Sequence, residues 1–146
     1  MSLAAVDAED RAGQLIALTR RLTDRLASET LMFERQRPQD AAPGMAETQK
    51  LANLYRHECA RIAADPSLIA GADPNTRRRL IEVTRAFEAV LARHGRVVAA
   101  AKTVSEGLVR AIAEEIARTR TAAAGYGSGG RSALADAGAI ALNRRA

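Results

Sequence analysis

From Leu80 onward, Val83, Phe87, Val90, Val97, Ala101, Val104 and Leu108 follow at alternating steps of three and four, with His94 filling the one polar step. That period places every one of these residues on one face of an α-helix, and its persistence is the pattern of a packed helical seam. The row then drifts to Ile112 and Ile116 at steps of four, which changes how a neighbouring helix can follow it. Asp73-Pro74 marks the start, because Asp at the N-cap satisfies free amides and Pro in the first turn pre-sets φ. The spacing predicts a helix over about 74–122, which at ~1.5 Å per residue would span roughly 70 Å.

Two further helices precede it. Leu15, Leu18, Leu22, Leu26 and Phe33 recur at helical spacing and predict a first helix over about 6–36, interrupted on its apolar face by Glu29. Arg37-Pro38 should end it by restricting the residue before the proline, and residues 40–44 read as a loop. A shorter helix is expected over about 45–64, with Leu51, Leu54, Tyr55, Cys59 and Ile62 on one stripe and Glu58 as the charge within it. Asp65-Pro66 stops that stripe, and Leu68 and Ile69 should pack as a turn.

Composition bears on how such helices pack. The chain has 33 Ala, two Phe, two Tyr and no Trp in 146 residues, so most of its apolar content is a strong helix former and a small core filler. The expected fold is all-α: an elongated antiparallel three-helix coiled-coil bundle with two long helices, one shorter helix and a flexible C-terminal tail. Residues 1–124 should form the bundle. Residues 125–146, opening on Gly125-Tyr126-Gly127-Ser128-Gly129-Gly130, should form a Gly/Ala-rich tail.

Charge, cysteine and chemistry are quickly bounded. The net charge of +5 resides in the C-terminal half: residues 73–122 carry 10 basic and 6 acidic side chains, and residues 123–146 carry 3 and 1. Cys59 stands alone, which suits a reducing cytoplasm, and neither a membrane span nor a signal peptide is evident. The glycines after Ala124 follow a helix and lead into no strand, so they are not a phosphate loop. His57 and His94 lie on different helices without ligand-pair spacing, and no second acid is placed to make a catalytic pair. No catalysis, cofactor or metal is expected. His94 instead occupies a seam position where a polar group can fix helix register, with Gly95 beside it as a candidate bend. Arg77-Arg78-Arg79 opposes the macrodipole in the first turns of its helix. Without aromatic interleaving or a short recognition helix, it reads as a solvated face or an acidic-protein contact sooner than as a nucleic-acid site.

Taken in order, Leu18-Thr-Arg-Arg-Leu-Thr-Asp-Arg-Leu26 with Glu29, then Lys50-Leu51 and Leu54-Tyr55, then Val104-Ser-Glu-Gly-Leu-Val-Arg-Ala-Ile112, the Gly-Tyr-Gly of the tail and the closing Leu142-Asn143-Arg144-Arg145 resemble one family. The chain is similar to the FlgN-type flagellar export chaperones, in their alphaproteobacterial-like branch, over nearly its whole length. It departs from them at His94-Gly95, where an Asn is common. The resemblance implies a cytoplasmic chaperone that holds hook-filament junction (hook-associated) proteins before type III secretion, with export-apparatus components as a further partner class. It also implies client binding through the C-terminal region, which here is Val104, Leu108, Ile112, Ile116, Tyr126, Ile140 and Leu142.

Residue spacing points to the same region without the resemblance, because a third helix that outlasts the second leaves apolar residues to cover elsewhere. Two other readings use the same features. A self-associating coiled-coil scaffold would use the stripe as a homodimer seam, and a basic nucleic-acid-binding helical protein would use the charge of the C-terminal half. The free protein is expected to be a monomer or a homodimer.

Overall fold

The computed structural model describes residues 1–126. They form four α-helices and one short 3-10 turn, with no strand among the described residues: α1 (Ala8–Glu34), the 3-10 turn (Pro38–Asp40), α2 (Ala42–Ala64), α3 (Ser67–Ala70) and α4 (Pro74–Tyr126). Contacts divide the chain within α4 into two compact units, Met1–Ala101 and Lys102–Ala146.

Several boundaries differ from the sequence expectation, each for a local reason. The first helix ends at Glu34 and not near residue 36, because Gln36 turns into the left-handed region at φ 57. The amide of Gln36 donates to the Phe33 carbonyl and that of Arg37 to the Met32 carbonyl, which satisfies the last free carbonyls before Pro38 is reached. The second helix begins at Ala42, inside the expected loop, since Pro43 lies in its first turn and loses no intrahelical bond there. The stretch expected as a turn forms the four-residue α3. Past the expected end at 122, α4 continues to Tyr126 and runs unbroken through Gly95 and Gly107.

Within the first unit, the contact pairs fix the directions of the helices. Arg11 of α1 meets Glu58 near the end of α2, while Arg25 meets Glu47 and Thr48 near its start, so α1 and α2 are antiparallel. Leu15 and Leu18 pack with Leu80, Leu22 and Leu26 with Phe87, and Glu34 pairs with Arg93, so α4 runs parallel to α1. The core has two contiguous clusters. The first joins Leu15, Ile16, Leu18 and Leu80 to Leu3, Leu51, Leu54, Ile62, Ile69 and Val83. The second joins Leu22, Leu26 and Phe87 to Leu51, Tyr55 and Val90, with the Tyr55 and Phe87 rings 4.8 Å apart. Tyr55 adds area to both clusters, and burial pushes its phenol pKa up.

Polar pins set the ends of this unit. Glu58 is fully buried and accepts hydrogen bonds from the Leu3 amide (2.8 Å), Arg11 (3.1 Å) and Arg61 (3.2 Å). Burial by itself would raise its pKa; the Leu3 amide and the two guanidinium groups outweigh that and hold the carboxyl below its ordinary range. Glu9 of α1 accepts from the Asp73 amide (2.7 Å) and the Thr76 hydroxyl (2.5 Å), fastening the start of α4. Asp73 caps that helix through the Asn75 amide (2.8 Å). Arg25 donates to the Gly44 carbonyl at 2.6 Å, and a Cβ on Gly44 would stand 2.5 Å from the Arg25 Nη2 atom, so a side chain there would push the guanidinium away from the start of α2.

Candidate functional site

The apolar row of α4 passes through two environments. In the first unit Leu80 and Phe87 are buried, and Val83, Val90, His94 and Val97 are half-buried. The partners along this row succeed one another from Leu15 and Leu18, through Leu22 and Leu26, to Glu29, Phe33 and Glu34. There α1 reaches its last residue. The bidentate pairing of Arg93 with Glu34, at 2.8 Å to each carboxylate oxygen, closes that end.

In the second unit the same row is open. Val104 is 71% exposed, Leu108 60%, Ile112 51% and Ile116 43%. Val109, which the sequence reading passed over, is also exposed and widens the face. Its signal was available: at Leu108-Val109, two large apolar residues in succession widen an amphipathic stripe. Large side chains left in water along a helix face are what a helix presents to a partner, since isolated apolar residues are ordinary on a surface while a contiguous row of them is not. Two ion pairs form within this part of α4, Lys102 with Glu106 at 3.8 Å and Arg118 with Glu115 at 2.6 Å.

Four of the seven residues singled out from the sequence, Val104, Leu108, Ile112 and Ile116, therefore share one exposed row. Tyr126 is the last residue of α4, and its side chain lies outside what the structure describes. Ile140 and Leu142 also lie outside the described residues.

A second polar site is resolved in the first unit. Glu29 and His94, the two polar interruptions of their respective apolar faces, come together: His94 Nε2 lies 3.6 Å from Glu29 Oε2, and the Phe33 ring meets the imidazole edge-on at 6.4 Å. The other Glu29 oxygen accepts from the Thr48 hydroxyl at 2.5 Å. One carboxylate thus ties α1 to α2 and stands beside the His94 imidazole of α4. His94 Nε2 is shielded and has no hydrogen-bond partner at this distance. Asp24, Arg25, Ser28, Met32, Asp40 and Gly44 line an open cleft of about 340 Å³ together with Glu29. Cys59 is half-buried, and burial raises its thiol pKa, the opposite of what a nucleophile needs. Among the described residues no three His, Cys, Asp or Glu side chains are grouped to hold a metal ion, and no helix is long and apolar enough to cross a membrane.

Over its whole length the chain is 52% identical to a protein of Caulobacter vibrioides named "Flagellar basal-body protein FlbY", with the 149-residue alignment covering 100% of both chains. No protein-family model matches the chain. No solved structure matches it.

Proposed function

The chain belongs to the family of this flagellar basal-body protein, and from that premise we propose that it is a flagellar export chaperone of the FlgN type, which holds hook-associated proteins in the cytoplasm before type III secretion. The observation that supports this most is the exposed row Val104, Leu108, Ile112 and Ile116 on α4. A relative named for the flagellar basal body assigns the setting, and a helix with an uncovered apolar row supplies the means of holding a client. An amphipathic client segment laid along the row would remove four large side chains from water, at about 25 cal/mol per Å² of apolar surface. Ordering such a segment costs part of that gain, which keeps the complex releasable, as delivery requires.

This function needs no catalysis and no cofactor. Two basic residues of the described part of the second unit, Lys102 and Arg118, pair with Glu106 and Glu115 of the same helix, which is in keeping with an apolar partner more than with nucleic acid.

Co-purification of the full chain with hook-associated proteins from the same organism, read by light scattering, tests the proposal. A stoichiometric complex is expected, and it should be lost when residues 108–146 are deleted or when Leu108→Glu and Ile112→Glu are combined. Binding that survives both changes removes the α4 row as the client site. Failure of the full chain to bind any hook-associated protein removes the chaperone reading itself.

A further inference from the structure

We infer that the outward face of α4 in the first unit is a docking surface for an acidic α-helix of a partner protein, held by Arg78, Arg85 and Arg96. This face belongs to the first unit alone, and its role does not depend on the client reading.

The surface follows from the geometry of one helix. Arg78, Arg85 and Arg96 are separated by seven and eleven residues, close to two and three whole turns. At ~100° per residue the three therefore lie within about 20° of one line along α4. The opposite side is the packed one, with Leu80 and Phe87 in the core clusters. All three arginines are exposed, and so are Ala89 and Ala92, which stand near the same line between Arg85 and Arg96. Arg77 and Arg79 flank the start of the line on either side.

Positive charge on this face has no counterpart within the first unit. Elsewhere in that unit arginines meet carboxylates: Arg11 and Arg61 pair with Glu58, Arg21 and Arg25 with Glu47, and Arg93 with Glu34. Among the described residues no carboxylate forms an ion pair with Arg77, Arg78, Arg79, Arg85 or Arg96. Arg78 reaches only the Asn75 side-chain oxygen, at 3.5 Å. Arg96 has no acid one turn away in either direction, since its helical neighbours are Ala92, Arg93, Ala99 and Ala100. Between Arg77 and Arg96 the acids are Glu82 and Glu88, and Glu88 stands near the Tyr55 phenol of α2. The first turn of α4 holds no acidic residue, and three successive arginines at the start of the helix oppose its macrodipole. Helix stability therefore does not account for them.

The spacing also selects the partner's chemistry. Guanidinium groups about 10 and 17 Å apart along the axis match carboxylates seven and eleven residues apart on a second helix, each pair able to form a forked contact. Ala89 and Ala92 leave no bulk between the arginines to hold that helix away. An anionic membrane fits less well, because the line carries no large apolar side chain to enter lipid. Nucleic acid also fits less well, because Glu82 stands beside the line and no aromatic ring is interleaved to stack on bases. Exposed ion pairs are individually weak, so the contact relies on several acting together, speeds encounter and weakens with salt.

The test is an NMR titration of the isotope-labelled full chain, at low salt, with a helical Ala/Gln peptide carrying three Glu seven and eleven residues apart. Signals of Arg78, Arg85 and Arg96 should shift together, and affinity should fall about tenfold when Arg85→Glu and Arg96→Glu are combined, with circular dichroism unchanged. Arg85→Gln with Arg96→Gln should give a smaller loss in the same direction. Equal binding of a peptide whose three Glu lie on different faces, or affinity indifferent to both pairs of substitutions, overturns the inference. Binding to duplex DNA or to vesicles of anionic lipid, with none to the peptide, overturns it as well. The chain with Leu108→Glu and Ile112→Glu should take the peptide unchanged; a loss there would place the contact on the open row instead. A chain that takes the peptide through its arginines and binds no hook-associated protein would sink the chaperone reading and leave this surface standing.

Discussion

The two parts of α4 carry similar side chains and different amounts of water. Phe87 is 6% exposed and Leu108 is 60% exposed, yet both occupy the same seam of one helix and both are large and apolar. Phe87 belongs to a core cluster of the first unit with Leu22 and Leu26, whereas Leu108 belongs to the second unit. Periodicity reports that a face is apolar; it does not report which part of the face has a neighbour within the chain. The covered part is thus read as fold, and the open part as the place the proposed client would occupy.

The sharpest way to break this comparison is to truncate one residue in each part. Phe87→Ala should destabilise the first unit by about 3 to 4 kcal/mol, since it empties the middle of the second core cluster, while Leu108→Ala should change thermal stability by no more than ~0.5 kcal/mol at a concentration where the chain is monomeric. Equal losses in denaturant unfolding would mean that the open row is not open. The same Leu108→Ala chain should lose client binding by about tenfold or more, as expected for a large apolar anchor.

Glu58 sharpens the covered side. Glu58→Ala strands Arg11 beside a lost buried partner and should cost about 3 kcal/mol. The acid limb of stability should report it too. A carboxyl whose pKa is lowered on folding contributes stability that is present above the unfolded value near 4.5 and is lost as the pH falls through the folded value. Glu58→Gln should therefore flatten the fall in stability below about pH 4.5. An unchanged acid limb would show that other carboxyls, such as Asp10, held low first by the Val6 amide, carry the effect.

The smallest expected effect lies at the end of α1. Gln36 is a non-glycine residue in the left-handed region, so Gln36→Gly should raise stability by a few tenths to about 1 kcal/mol without altering client binding. A loss of stability would mean that the Gln36 side chain makes a contribution its backbone strain hides.

Much of this was legible in the residues. The three main helices, the Asp73-Pro74 start, the leucines that face the core and the flagellar character of the family could all be read from spacing and motif. The end of α1 could not, because Gln36 carries no mark of left-handed backbone as Gly would; the signal assumed there, Arg37-Pro38, acts two residues too late. The start of α2 was missed for the converse reason, since Pro43 breaks a helix interior but is tolerated in a first turn. Glu29 and His94 were each recognisable as polar breaks in an apolar row, but their meeting depends on the parallel register of α1 and α4, which neither stretch encodes alone. Arg11 gave no hint that it would partner Glu58.

By itself the sequence determined that the chain is helical, where its longest apolar row runs and that this row shifts to four-residue steps near its end, because these are properties of successive residues on one helix. Tertiary structure alone decided that Phe87 is core and Leu108 is surface, that Glu58 is pinned by two arginines and the Leu3 amide, and that the last residue of α1 pairs with Arg93. Those outcomes depend on how far one helix extends beside another, and lateral packing between segments distant in the chain is not a property of either segment's own period.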